Sequence, residues 1–214
     1  MSPRRAKAVT GRVDQDPATA LREHLVDVAE KLLAERQVSA ITTRDIARAA
    51  DVSTGVLYNY FADKNDLLLA ALLRRYQVLA DRFLTDVPEP GTADIRTNLH
   101  AYARAALNFQ AQLLPIAGGL LSEPVLLHRF IDAIHSAPFG PQHSNQRLAG
   151  YLAAEQSLGR LSRDVDAVAA TTLLMGASLT LIVAGHLLPA DLRPDPIAQL
   201  PHIVDTLLRG LSPA

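Results

Sequence analysis

Apolar residues in this chain recur three and four positions apart, and that spacing constrains the fold more than any other feature. Leu21, Leu25, Val28, Ala29, Leu32 and Leu33 mark one face of a first helix, because 3.6 residues per turn bring such positions together. This helix is expected to end near Gln37. The spacing returns after Asp63 in Leu67, Leu68, Ala71 and Leu72, on to about Thr85. It is repeated over residues 92–113, 123–136, 144–158, 164–188 and 196–211. No alternating, strand-like pattern competes with it. Ala and Leu, both strong helix formers, are abundant in the apolar half of the chain. The expected fold is all-α, with about nine helices.

Local signals punctuate the pattern. Residues 1–18 lack periodicity and are expected to stay loose. Thr42-Thr43-Arg44-Asp45 has the T-x-x-D form of a helix start, with Asp45 placed to cap back. Asp63-Lys64-Asn65-Asp66 is a second start signal. Pro88-Glu89-Pro90-Gly91 is a stop, and Ala137-Pro138-Phe139-Gly140-Pro141 reads as a loop. Pro115 and Gly118-Gly119 are expected to interrupt the middle of the chain. Gly159 falls where a helix C′ residue would, since glycine reaches positive φ without steric cost. Pro201 implies that the last helix is kinked or starts late.

The net charge of −1 conceals an asymmetry. Residues 1–75 carry 12 Lys and Arg against 10 Asp and Glu, and residues 76–214 carry 9 against 12. Arg4, Arg5, Lys7 and Arg12 open the chain without an acid among the first twelve residues. Such an arm is either a solvated tail or a source of non-specific attraction to phosphates. Without cysteine, disulfides, thiolate metal sites and cysteine nucleophiles are excluded. The first residues hold no apolar run of the kind a secretory signal needs, so the cytoplasm is expected. The seven histidines include no H-x-x-x-H or H-E-x-x-H spacing, and His128 and His135 are two turns apart, so no metal site is expected. Neither a glycine-rich phosphate loop nor a nucleophile elbow occurs. No cofactor is expected, and an enzyme is not.

The stretch "STGVLYNYFADK", Ser53 to Lys64, holds three of the ten aromatic residues. It follows a short helical pattern in which Ile46, Ala47 and Ala50 point inward. Two short helices joined by about four residues make a helix-turn-helix candidate. Val52 is the buried apolar residue that its turn needs. The second helix, expected to run through Gly55 to about Phe61, points Leu57 and Phe61 inward. At about 100° per residue, Gly55 and Asn59 then face the opposite way, with Val56 and Tyr58 on the flanks.

The longer string "TTRDIARAADVSTGVLYNYFADKNDLLLAAL", residues 42–72, closely resembles the DNA-binding region of TetR-family (TetR/AcrR-like) transcriptional regulators. The Ile-Ala-x-x-Ala core, the Val-Ser turn, the Thr-Gly start and the Tyr-x-x-Phe followed by Lys match in order and spacing. The likeness is specific over about residues 20–75 and elsewhere rests on helical pattern, with "VDTLLRGLSPA" similar to the last helix of many members. The family usually has Gly where this chain has Asp51, and Asp visits the left-handed region more readily than most residues.

The resemblance implies a flexible arm over residues 1–18, a three-helix helix-turn-helix domain over 19–65, and a larger helical domain over 66–214 for effector binding and dimerisation. It implies a homodimeric, effector-responsive repressor that binds a palindromic operator and is released by a small molecule. A regulator of the same fold that acts through a protein partner or as an activator is the alternative. The DNA contacts implied are Thr43, Arg44, Ser53, Thr54, Gly55, Val56, Tyr58, Asn59, Tyr60 and Lys64. Asn59 would reach an adenine edge, the tyrosines and Lys64 would meet phosphates, and Gly55 would let backbone approach. Ser53 and Thr43 could instead be caps, Val56 and Tyr60 could pack, and Lys64 could be solvated. Arg22, Arg36 and Arg48 read as solvated helix faces.

Residues 167–188 carry no formal charge, so they could span a bilayer or form a helix buried in a core or an oligomer interface. The family likeness favours a dimer through about residues 164–211, with Gly176, Ala177 and Gly185 allowing close approach and no membrane involved. A largely apolar effector would sit in the larger domain, and Tyr102, Phe109, Gln110, Phe130, Phe139 and Met175 are its candidate contacts. Ordinary core packing is the competing reading for each.

Overall fold

A computed structural model describes residues 16–85, 88–138 and 140–211. The basic residues Arg4, Arg5, Lys7 and Arg12, and also Phe139, lie outside the described residues. The helices are α1 Pro17–Glu35, α2 Thr43–Ala49, α3 Thr54–Leu57, α4 Lys64–Thr85, α5 Ile95–Leu120, α6 Pro124–Ser136, α7 Pro141–Ser157, α8 Ala167–Leu187 and α9 Pro196–Leu211. Short 3₁₀ turns occupy Val38–Ala40 and Ala190–Leu192. Among the described residues there is no strand, and the all-α expectation holds.

Three boundaries at prolines differ from expectation, and proline chemistry explains each. Helix α1 begins at Pro17, inside the stretch expected to be loose, because proline suits the first helical position, where an N–H would have no partner. Helix α5 runs through Pro115 and both glycines to Leu120. The lost N–H bond is offset by burial of Ile116 and Leu120 beyond it. Helix α9 likewise starts at Pro196 and keeps Pro201 inside, with Leu200 and Val204 buried on either side.

The described chain packs into two compact units. One comprises the residues up to Tyr76 together with Ile116–Ala133, and the other comprises Gln77–Pro115 with the residues from Ile134 onward. In the first unit, α1 packs on α2 and α2 on α3, around Leu25, Ile46, Leu57, Phe61 and Leu68. Phe130 meets Tyr76 edge-on in this unit, at 6.0 Å between ring centroids.

In the second unit, α7 packs on α8 and α8 on α9. Phe83 stacks with Phe109 at 5.2 Å and lies edge-on to Tyr102 at 5.1 Å. Helix α7 ends as the sequence implies. Gly159 adopts φ 74°, its N–H donates to Gln156 O, and Arg160 N–H donates to Glu155 O, the paired bonds of a Schellman stop.

A buried polar network also fixes this corner. Glu155 is wholly buried. Its Oε1 accepts from Gly91 N–H at 3.0 Å, and its Oε2 lies 3.2 Å from Arg160 Nε. Arg160 Nη2 donates to Ala93 O at 2.6 Å. Asn98 Nδ2 donates to Thr92 O and to the Tyr151 hydroxyl. Gly91 and Ala93 both have positive φ, 80° and 43°. For Ala93 that backbone costs about 1–2 kcal/mol, which the surrounding bonds offset.

Candidate nucleic-acid interface

The expected helix-turn-helix forms at α2 and α3. Helix α2 starts with a reciprocal capping box. Thr42 Oγ1 accepts from Asp45 N–H at 3.2 Å, and Asp45 Oδ2 accepts from Thr42 N–H at 3.1 Å. The Thr42 hydroxyl also donates to Asp45, and that bond, followed by the one from Thr42 N–H, holds the Asp45 carboxyl below the usual carboxylate range. Arg36 and Arg48 stand 3.6 and 3.0 Å from Asp45. Both therefore pair, whereas the sequence reading makes them solvated helix faces. Arg22 also has a partner: its guanidinium lies over the Phe61 ring at 4.9 Å.

The turn at residues 50–53 uses Asp51 at φ 55°, the left-handed conformation for which the family usually supplies glycine. Val52 is half-buried, less than expected, and its N–H bonds to Ala47 O. Helix α3 is shorter than expected. It covers Thr54–Leu57 and tightens into turns in which Asn59, Tyr60 and Phe61 donate back to Val56 and Leu57. The inward pair is as expected: Leu57 is 3% and Phe61 4% exposed.

The other face is open. Tyr58 is 55% exposed, and Ser53, Gly55, Asn59 and Arg44 are exposed beside it. Among the described residues, no hydrogen bond involves the side chain of Arg44, Tyr58 or Asn59. Ser53 stands at the N-cap position without a side-chain cap bond. A Cβ added at Gly55 would meet Ser53 Oγ at 3.9 Å, so nothing among the described residues requires glycine there. Thr43, Thr54, Val56 and Tyr60 are half-buried, and the structure leaves Tyr60 between packing and exposure. Lys64 is half-buried and donates from Nζ to Ile41 O at 3.1 Å. An ammonium has three donors, so two remain.

Sequence reasoning missed Arg129. Its guanidinium lies 3.5 Å from Asp63 and 3.2 Å from Asp66, on either side of Lys64. Nothing local signals a pairing between residues 66 and 63 positions apart.

The effector candidates separate. Tyr102, Phe109, Gln110 and Met175 belong to the second unit, and Phe130 to the first. Gln110 Nε2 donates to Met175 O at 3.1 Å, while its Oε1 is buried and unpaired. Burial raises the Tyr102 hydroxyl well above its ordinary pKa and that of Tyr76 to about 12. Helix α8 is long and apolar enough to cross a membrane by length and composition. Within the second unit it forms, with α9, an open groove of about 480 Å³ lined by Leu173, Leu174, Ala177, Ile203 and Leu207. Leu173 is 65% exposed, and Gly176 and Gly185 have open space where a Cβ would stand.

The reader and its surrounding helices define a helix-turn-helix protein of a known kind. Residues 25–71 match the sequence model of the bacterial regulatory proteins, tetR family. The HTH-type transcriptional repressor NemR of Escherichia coli K12 is 31% identical over 99 residues, which are 46% of this chain and 49% of that protein. The chain thus spans about half the length of the curated relatives it matches. A putative TetR-family regulator from Mesorhizobium loti shares the fold at TM-score 0.73 and 13% identity, covering 93% of this chain and 100% of that one. FadR from Bacillus subtilis, solved with stearoyl-CoA, shares it at TM-score 0.58 and 17% identity, covering 88% and 98%. Residues 25–71 thus carry a tetR-family region, and the matches together support a TetR-family transcriptional regulator.

Proposed function

We propose that the chain is a homodimeric, effector-responsive transcriptional repressor that binds a near-palindromic DNA site. The carrying observation is the open face of α3. Among the described residues nothing packs where a Gly55 side chain would stand, and no hydrogen bond involves the side chains of Tyr58 and Asn59. A duplex suits that face. Backbone at Gly55 approaches closely, the Asn59 amide matches adenine N6 and N7, and Arg44, Tyr58, Tyr60 and Lys64 meet phosphates. Ser53, Thr54, Thr43 and Val56 border the same contact.

The apolar groove on α8 and α9 supports a two-fold dimer. Pairing would cover Leu173 and its neighbours and present two readers to successive major grooves. That reading makes α8 an interface helix in a cytoplasmic protein rather than a membrane span. The effector proposed is a largely apolar small molecule held in the larger domain, in line with the acyl-CoA in the FadR structure. Tyr102, Phe109, Gln110 and Met175 are its candidate contacts within the second unit, and a ligand donor would satisfy Gln110 Oε1. Preference of the effector for an arrangement of α4 that mis-spaces the readers would release DNA.

Selection of bound duplexes from a random pool tests the reading. Two half-sites about one helical turn apart are expected. Recovery of no enriched sequence would overturn it.

A further inference from the structure

We infer that Arg129 is a positioning and charge-balancing residue for the DNA-reading surface, although it lies on α6. The inference rests on the DNA-binding reading above. Lys64 is flanked in sequence by two carboxylates that cap α4. Asp63 Oδ1 accepts from Asp66 N–H at 2.7 Å, and Asp66 Oδ2 accepts from Ala62 N–H at 3.2 Å. These caps require acceptors at both positions but do not require charge.

Two carboxylates within two residues of a lysine proposed to meet phosphate oppose the attraction that drives DNA association. Arg129 faces both. Nη1 lies 3.5 Å from Asp63 Oδ1, and Nη2 donates to Asp66 Oδ1 at 3.2 Å. The segment that carries it, Ile116–Ala133, is part of the same compact unit as α1, α2 and α3.

Exposure separates this role from a structural one. The side chains of Arg129, Asp63 and Asp66 are 36%, 58% and 37% exposed. Ion pairs this open contribute little to stability. Their field at a neighbouring anionic ligand, however, adds to every phosphate contact. Removing Arg129 is therefore expected to leave the fold intact and the charges of Asp63 and Asp66, which flank Lys64 in sequence, unbalanced.

The test uses the full chain and a labelled duplex recovered by random-pool selection. Arg129→Ala is expected to weaken binding about tenfold at low salt, and less at high salt, where screening shortens the reach of the carboxylates. Arg129→Lys is expected to retain most of the affinity. Adding Asp63→Asn and Asp66→Asn to Arg129→Ala keeps both cap acceptors, removes both charges and is expected to restore affinity. Thermal melting should match wild type throughout. If the wild-type chain binds and Arg129→Ala binds equally well, the inference is wrong. It is equally wrong if the triple variant stays as weak as Arg129→Ala. Failure of the wild-type chain to bind any duplex overturns the underlying reading instead.

Discussion

The two compact units differ in one use of charge: the second, which also has the exposed pair of Arg96 with Asp205, buries one ion-pair partner completely. The first keeps its described ion pairs exposed or half-buried. Asp45 meets Arg36 and Arg48, Arg129 meets Asp63 and Asp66, and Arg74 is shared by Glu23, Asp27 and Glu30. The second buries Glu155 completely and uses it to hold the chain at Gly91 and the guanidinium of Arg160. Exposed pairs contribute about 0–1 kcal/mol each, so the first unit depends on apolar anchors such as Leu57 and Phe61. Its surface chemistry is then free to serve a ligand. A buried pair is costly to break, because the surviving charge is stranded away from water.

The contrast predicts its largest effect at Glu155. Glu155→Ala should destabilise the chain by about 3 kcal/mol in denaturant unfolding, since it removes the acceptor of Gly91 N–H and the partner of the half-buried Arg160. The same truncation of a surface partner, Asp27→Ala, should cost no more than about 1 kcal/mol. Comparable losses from the two would remove the contrast.

That network also shows where sequence reading stops. Leu148, Tyr151, Leu152 and Glu155 share one buried face of α7 at helical spacing, so a glutamate on an apolar face was visible. Its partners were not, because Gly91 and Arg160 reach it only through tertiary packing. The reader was more legible because its determinants are local. The Thr42–Asp45 box, the left-handed Asp51 and the inward Leu57 and Phe61 each depend on positions within a few residues. The body yielded its helices but not their ends at Pro115 and Pro201. There, burial of neighbours outweighs a lost hydrogen bond, and that burial is set by other helices. Phe130 meets Tyr76 edge-on, a neighbour that no local pattern announces.

A second prediction divides stability from function within the first unit. Gly55→Ala replaces a poor helix former with a good one. The added methyl is not crowded, because only Ser53 Oγ stands near, at 3.9 Å. Stability should therefore stay level or rise by up to about 1 kcal/mol, measured by thermal melting. Affinity for a selected duplex should fall about tenfold, as the methyl holds the backbone off its ligand. Loss of stability would mean that glycine serves the fold, and unchanged affinity would move the contact surface away from α3.

The smallest effect lies at the α2 capping box, where the exposed style of stabilisation is most local. Thr42→Ala removes the N-cap acceptor and should cost about 1 kcal/mol. The same box titrates. The Thr42 hydroxyl and N–H lower the Asp45 carboxyl from its ordinary 3.8. A carboxylate depressed in the folded state adds stability that is fully present above 3.8 and is lost as pH falls through the lower folded value. Acid should thus weaken the start of α2, and the Asp45 side-chain signal in NMR should titrate below 3.8. In Thr42→Ala that titration should move back up, because its largest cause is gone while Arg36 and Arg48 remain. Titration of the wild-type carboxyl at or above 3.8 would mean the reciprocal bonds do not persist in water, and the reader's start would then rest on packing by Ile46 and Ala47 alone.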